Sequence, residues 1–79
     1  MLNRLFVFKG RAYRSQEELE ANEHVSSDKA ERLPFWGLIP KFIYRITGRG
    51  FSRLAVDPED VRHALKGHED ADVEVIPVR

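Results

Sequence analysis

The chain has no cysteine, and it has only one tryptophan and one methionine in 79 residues. Without cysteine there is no disulfide scaffold, no thiolate zinc site and no thiol chemistry, so packing alone must hold the fold together. Long apolar runs are also missing. The N-terminal stretch MLNRLFVFKG is too short for a signal peptide, and no run approaches the roughly 18 apolar residues of a membrane span. These absences predict a cytoplasmic protein with no membrane partner.

Length and composition predict a single domain over residues 1–79. A chain of this size buries about 60–70% of the surface that its unfolded form exposes, which leaves little room for a large catalytic cleft. The composition, with 42% hydrophobic, 10% aromatic and 33% charged residues, is typical of a folded globular domain and not of a disordered chain.

The formal net charge is zero, but the charged residues are segregated along the chain. Residues 1–16 carry +4 and residues 32–56 carry +5, both without an acidic residue, whereas residues 17–31 carry −5 and residues 57–79 carry −4. Neutrality that arises from segregation predicts opposed charged surfaces on one small molecule.

A β-hairpin is predicted at the start of the chain. The pair Lys9-Gly10 separates the apolar run 5–8 from residues 11–14, and glycine suits the positive φ of a tight hairpin turn. Because neighbouring residues of a strand point to opposite faces, a strand that is apolar throughout is covered on both sides. The first strand is therefore predicted to lie inside a sheet and not at its edge.

A short exposed helix is predicted over residues 16–23. Ser15 and Glu18 fit a capping box, in which hydroxyl and carboxylate satisfy free amides at the helix start. The segment QEELEANE has only one leucine, so it buries little surface. A second turn, which runs to Leu33, is predicted to be capped by Ser26, Ser27 or Asp28.

The middle of the chain predicts an irregular segment followed by a second hairpin. In residues 34–40, PFWGLIP, two prolines and a glycine break any long helix, so we expect an irregular apolar plug that partly buries Trp36. The runs KFIYRI and FSRLAV are rich in aromatic and β-branched residues, and residues 47–50 separate them as a connection.

The C-terminal part predicts the main helix and a last strand. Asp57 as cap and Pro58 in the first turn begin a helix over residues 58–66, which Gly67 ends. VEVIPV follows an acidic loop and is predicted to be the last strand, and Pro77 places that strand at a sheet edge or limits its pairing. The predicted fold class is therefore α+β, a small antiparallel sheet of four to five strands with the main helix on one face.

Alternation along the second hairpin predicts one apolar face and one basic face. The inward side chains are Phe42, Tyr44, Ile46, Ser52, Leu54 and Val56. The outward side chains are Lys41, Ile43, Arg45, Phe51, Arg53 and Ala55, with Arg49 at the tip. A helix through Ile39, Phe42, Ile43 and Ile46 is the alternative, which Pro40 and the β-branched residues disfavour.

The basic and aromatic face is a candidate binding surface. Guanidinium groups fit phosphates and carboxylates, and aromatic rings stack on unpaired bases. Arginine and aromatic residues are also the usual anchors at protein interfaces, and a plain solvated face has the same composition. The predicted binding residues are Lys41, Arg45, Arg49, Phe51 and Arg53, with Arg11 and Arg14 beside them.

No motif for catalysis or metal binding is found. The spacings of His24, His63 and His68 fit no recognised metal site, and no serine nucleophile pattern or convincing acid and base pair is present. The sequence therefore predicts a protein that is not an enzyme, with no cofactor and no small-molecule substrate.

Two functions follow from these observations. The first is a regulator that docks through its basic and aromatic face on nucleic acid, or on a complex that handles nucleic acid such as the transcription machinery. In size, lack of cysteine and charge segregation the chain resembles the accessory proteins of phages and mobile elements. The alternative is an inhibitor or adaptor whose acidic blocks, residues 17–31 and 69–74, meet a basic protein partner.

Overall fold

The computed structural model describes residues 2–79 and shows two three-stranded antiparallel sheets with two α-helices. Sheet A has the strand order β2-β1-β3 and sheet B the order β5-β4-β6. The predicted α+β class is confirmed, but the single sheet of four to five strands is wrong because the strands divide into two sheets. The elements are β1 (Leu2–Phe8), β2 (Arg11–Tyr13), α1 (Gln16–Glu23), a 3-10 turn (Ser27–Lys29), β3 (Glu31–Trp36), β4 (Phe42–Gly48), β5 (Phe51–Ala55), α2 (Pro58–Leu65) and β6 (Asp72–Pro77).

The two sheets pack face to face over one hydrophobic cluster. Leu5 and Val7 of sheet A belong to the same cluster as Ile43 and Ile76 of sheet B, and none of the four is more than 1% exposed. Facing apolar sides are the usual way in which two sheets form a core. A single parallel bridge between Ala12 and Val78 joins β2 to the chain just after β6.

Each helix packs on the outer side of one sheet. Ala64 of α2 clusters with Ile46 and Ala55 of sheet B. On sheet A, Tyr13 pairs with Phe6, so it lies on the face opposite Leu5, and its hydroxyl donates to Glu23 of α1. The order of layers is therefore α1, sheet A, sheet B, α2.

The local signals read from the sequence are confirmed in these elements. Lys9 and Gly10 have φ of 47° and 76°, as a primed hairpin turn requires. Ser15 Oγ accepts from the Glu18 amide, and the Asp57 side chain accepts from the Asp60 amide. Strand β1 is the central strand of sheet A and β6 is an edge strand of sheet B, both as predicted.

The segment around Trp36 differs from the prediction. The second turn stops at Lys29, and residues 31–36 form β3, although the sequence predicted an irregular plug from residue 34. Pro34 is tolerated because β3 is an edge strand, where a missing N–H can face away from the sheet. Trp36, expected to be partly buried, is 75% exposed because it ends this edge strand.

Candidate binding surface

The second hairpin forms, but its register divides the predicted basic face. Strand β4 continues to Gly48, so that the turn is Arg49-Gly50 and Ile46 pairs with Arg53. Residues that face each other across two strands share one side of the sheet. Arg53 therefore lies on the side of Ile46, and Arg45, one residue earlier on β4, lies on the opposite side.

Three residues of the hairpin are inverted relative to the prediction. Ile43 and Ala55, expected to point outward, are 0% and 2% exposed, and Phe42, expected in the core, is 50% exposed. The reason is that sheet B is covered on both faces. The side with Ile43 packs on sheet A, and the side with Ile46 packs on α2. The remaining apolar residues of the inward set do pack against these two clusters: Tyr44, Leu54 and Val56.

Arg45 is held in an ion pair between the sheets. Its Nη2 lies 2.5 Å from Glu31 Oε1, and its Nη1 donates to Ser52 Oγ at 3.2 Å. Glu31 pairs with the core residue Val7 in sheet A, so it points toward sheet B. The Arg45 guanidinium, with its side chain only 21% exposed, links the facing sides of the two sheets.

Phe51 is part of the core beneath α2. Its ring lies over Gly48, where an added Cβ would come within 2.2 Å of a ring atom. The ring also contacts His68, with the two centroids 4.6 Å apart and the planes at 49°. Phe51 is half-buried against the cluster of Ile46, Ala55 and Ala64, so it does not present a free aromatic platform.

The other predicted binding residues are spread over the molecule. Lys41 precedes β4 and Arg49 follows it, so about 25 Å of extended chain separates them. Arg11 is paired with Glu23, with 3.3 Å between Nη1 and Oε1. Four predicted cations are exposed and form no ion pair with residues 2–79: Arg14, Lys41, Arg49 and Arg53. The structure does not bring the predicted set together on one face.

Arg11 also belongs to a cluster that ties α1 to sheet A. Glu23 accepts from the Tyr13 hydroxyl and pairs with Arg11. Tyr13 is only 1% exposed. Burial, and then the hydrogen bond to the Glu23 carboxylate, raise the pKa of the Tyr13 phenol above its usual value of about 10. The cluster has the character of a structural contact.

Large apolar side chains that the sequence reasoning did not single out as binding residues are exposed instead. Leu2 and Trp36 are register partners at one end of sheet A, and the loop 37–41 leads from there to Phe42 on sheet B. Across β4 and β6, Phe42 pairs with Pro77, and Tyr44 pairs with Val75. We call the following set the apolar surface, with the exposed fraction of each residue: Leu2 48%, Trp36 75%, Leu38 94%, Ile39 45%, Phe42 50%, Val73 41% and Val75 54%.

A cleft of about 320 Å³ opens beside Trp36. Apolar residues line one part of it and the first turn of α2 lines the other, including Asp57 and Asp60. Asp57 caps α2 by accepting from the Asp60 amide at 3.0 Å, so its carboxylate already has a structural role. Trp36 therefore lines a cleft that has two aspartates, Asp57 and Asp60, in its other part.

One signal in the sequence could have identified the apolar surface. PFWGLIP places four apolar residues between prolines and around Gly37, where neither a helix nor a central strand can turn them all inward. Apolar residues that no regular element can bury must be exposed or must lie against a partner.

Among residues 2–79, no group of three or more His, Asp and Glu side chains could hold a metal ion. The helices in this part of the chain are too short and too polar to cross a membrane. Comparisons with protein-family models, with curated proteins and with solved structures found no match to this chain.

Proposed function

We propose that this chain is a small non-catalytic protein-binding domain, a regulator or adaptor that docks on a protein partner through its apolar surface. The observation that carries the proposal is the exposure of Trp36 and Leu38, at 75% and 94%. Tryptophan is enriched among the residues that dominate binding energy at protein interfaces.

Energetics supports a docking role for this surface. Complete burial of one large apolar side chain stabilises a complex by about 1.5–3 kcal/mol. Trp36, Leu38 and Phe42 lie within seven residues of each other, on the loop that joins the two sheets and at the strand ends beside it. Three large apolar side chains of one short segment that are each at least half exposed favour a role in interaction.

The charges around the surface indicate the chemistry of the partner. Asp57 and Asp60 border the cleft next to Trp36, and Asp72 and Glu74 lie on the strand that carries Val73 and Val75. Complementary charges at the rim of an interface steer association and fix its register. A partner with an apolar centre and a basic rim fits, in agreement with the sequence hypothesis of an adaptor that meets a basic protein.

Docking on nucleic acid, or on a complex that handles nucleic acid such as the transcription machinery, is the second candidate. It is favoured by Arg49 and Arg53, which are exposed and form no ion pair within residues 2–79. Lys41 is exposed as well, but at the other end of β4. This candidate ranks second because Arg45 and Phe51, central to the predicted face, are engaged inside the fold.

The test is affinity capture from the source organism with three versions of the tagged protein, read by quantitative mass spectrometry with and without nuclease. The wild type is compared with Trp36→Ser/Leu38→Ser and with Arg49→Ser/Arg53→Ser as the matched surface control. We expect the wild type to capture a partner protein that the first variant no longer captures. The second variant should still capture this partner, and so should the wild type after nuclease treatment. Loss with the arginine variant or after nuclease would establish the second candidate and overturn the first.

A further inference from the structure

We propose that the outer edge of β6 binds an extended segment of the partner, which adds to sheet B as a fourth strand and alternates apolar with basic residues. The inference rests on the proposed protein-binding function and specifies how one part of the partner is held. It follows from the backbone pattern of β6, from its exposed side chains and from their charges.

The backbone groups of Val73 and Val75 face away from β4. The Val78 amide donates to the Lys41 carbonyl at 2.9 Å, and the register continues without interruption from there to Thr47 and Asp72. In an antiparallel pair, hydrogen-bonded residues alternate with residues whose N–H and C=O point to the other side. Val73, Val75 and Pro77 are in the second class, which also explains why a proline fits at position 77.

The outer edge of β6 is the most suitable edge for a fourth strand. Apart from β4, its only pairing within residues 2–79 is the bridge between Val78 and Ala12 at its C-terminal end, where β2 lies beside it. Gly10 lies next to the Glu74 carboxylate, and Val73 and Val75 are exposed. Of the other three edge strands, β3 has Pro34 in its middle, β2 is only three residues long, and β5 carries no exposed large apolar side chain. Strand β6 alone combines six residues with two exposed large apolar side chains. Such an edge is a template for strand addition.

Side-chain alternation defines the sequence of the incoming strand. Val73 and Val75 lie on the outer face, where Phe42 extends the apolar area, and Asp72 and Glu74 point to the other face. Opposite charges and apolar pairs directly across two strands stabilise a sheet. A segment with apolar residues facing the valines and lysine or arginine facing the acids matches both rows.

A second copy of this chain matches less well. If two β6 strands paired antiparallel, the row of Asp72 and Glu74 would meet the same row of the other copy. Like charges directly across two strands destabilise their pairing. The charge on β6 therefore favours a basic segment from another protein.

The test uses two acetylated, amidated hexapeptides, one of alternating valine and lysine and one of alternating valine and glutamate. Each is titrated up to about 1 mM into ¹⁵N-labelled protein, and amide hydrogen exchange is followed. We expect the lysine peptide to bind and to protect the amides of Val73 and Val75, while the glutamate peptide binds at least about tenfold more weakly.

Two variants separate backbone pairing from general attraction. Val75→Pro removes the outward N–H without removing a bond to β4, and Val75→Thr is the matched control that keeps this N–H. We expect Val75→Pro to lower the affinity for the lysine peptide about tenfold or more, and Val75→Thr to lower it less than about threefold. Circular dichroism establishes that both variants are folded. Asp72→Lys/Glu74→Lys, with an unchanged backbone, should reverse the preference between the peptides.

Three results would overturn the inference. They are no binding of the lysine peptide, equal affinity of that peptide for Val75→Pro and Val75→Thr, or amide protection centred away from β6. Protection of Val73 and Val75 that rises with protein concentration and without peptide would identify a second copy as the occupant and would also refute it. A failure here leaves the capture experiment with Trp36→Ser/Leu38→Ser unaffected, so the two proposals can fail separately.

Discussion

Glu31 and Arg45 form an ion pair that joins an edge strand of sheet A to the central strand of sheet B, with 2.5 Å between Oε1 and Nη2. Pairing in this position removes Arg45 from the set of cations that could meet a ligand. It also identifies the side chain as a part of the packing between the sheets, since the aliphatic stem of an arginine can cover apolar surface.

Replacing Arg45 should affect stability. We expect Arg45→Met to lower the free energy of unfolding by about 1 kcal/mol, because it removes a partly exposed ion pair and the bond to Ser52. Arg49→Met, at the exposed turn, is the control and should change it by less than about 0.5 kcal/mol. Urea unfolding followed by tryptophan fluorescence measures both. Equal effects at the two positions would contradict the role of Arg45 between the sheets.

Neighbouring residues of β4 test which face is buried. Ile43→Ala should lower the free energy of unfolding by about 2–5 kcal/mol, because it leaves a cavity between the two sheets. Phe42→Ala should lower it by about 1 kcal/mol or less, since that ring is 50% exposed. Chemical denaturation decides the order. A larger loss for Phe42 than for Ile43 would restore the face assignment predicted from the sequence.

Gly48 should resist substitution because of Phe51. A protein is normally more stable by about 0.5–1 kcal/mol with alanine than with glycine inside a strand. Here we expect Gly48→Ala to destabilise the fold by about 1–3 kcal/mol, since its Cβ would meet the Phe51 ring. In a Phe51→Leu background most of this loss should disappear, which a double-mutant cycle measures. Equal losses in both backgrounds would show that the ring does not cause the effect.

The buried Tyr13 phenol predicts a loss of stability at alkaline pH. Because its pKa is raised in the folded state, the unfolded chain loses the phenol proton at lower pH than the folded protein. The stabilisation is therefore complete below about pH 10 and decreases as the pH rises through the folded-state pKa. Thermal unfolding between about pH 8 and pH 11 should show this decrease in the wild type.

The variant Tyr13→Phe isolates that contribution. At neutral pH it should lower the free energy of unfolding by about 1–2 kcal/mol, because Glu23 loses a hydrogen-bond donor in a largely buried position. Its stability should then fall less steeply with alkaline pH than that of the wild type. Tyr44→Phe, which removes a hydroxyl elsewhere, should leave the alkaline decrease in place. An identical alkaline profile for wild type and Tyr13→Phe would refute this role of Tyr13.

The elements that depend on neighbouring residues could be predicted from the sequence. The bounds of α1, the cap at Asp57, the turn at Lys9-Gly10 and the edge position of β6 all follow from short-range chemistry. The candidate site was predicted less well. Its hairpin is present, but the register pairs Ile46 with Arg53, so the even-numbered residues of β4 share a face with the odd-numbered residues of β5, and this divided the basic residues between two faces.

By itself the sequence determined where α1 and α2 begin, the turn at Lys9-Gly10, the edge position of the strand with Pro77 and, since there is no cysteine, that the chain folds without disulfides. Tertiary structure decided the rest: that six strands divide into two sheets, that Ile43 and Ile46 are both buried, and that Trp36 is not. The physical reason is the separation along the chain of the residues that interact. Caps and turns are satisfied within a few residues. The burial of a strand face depends on what packs against it from distant parts of the chain, and here sheet B is covered on both sides.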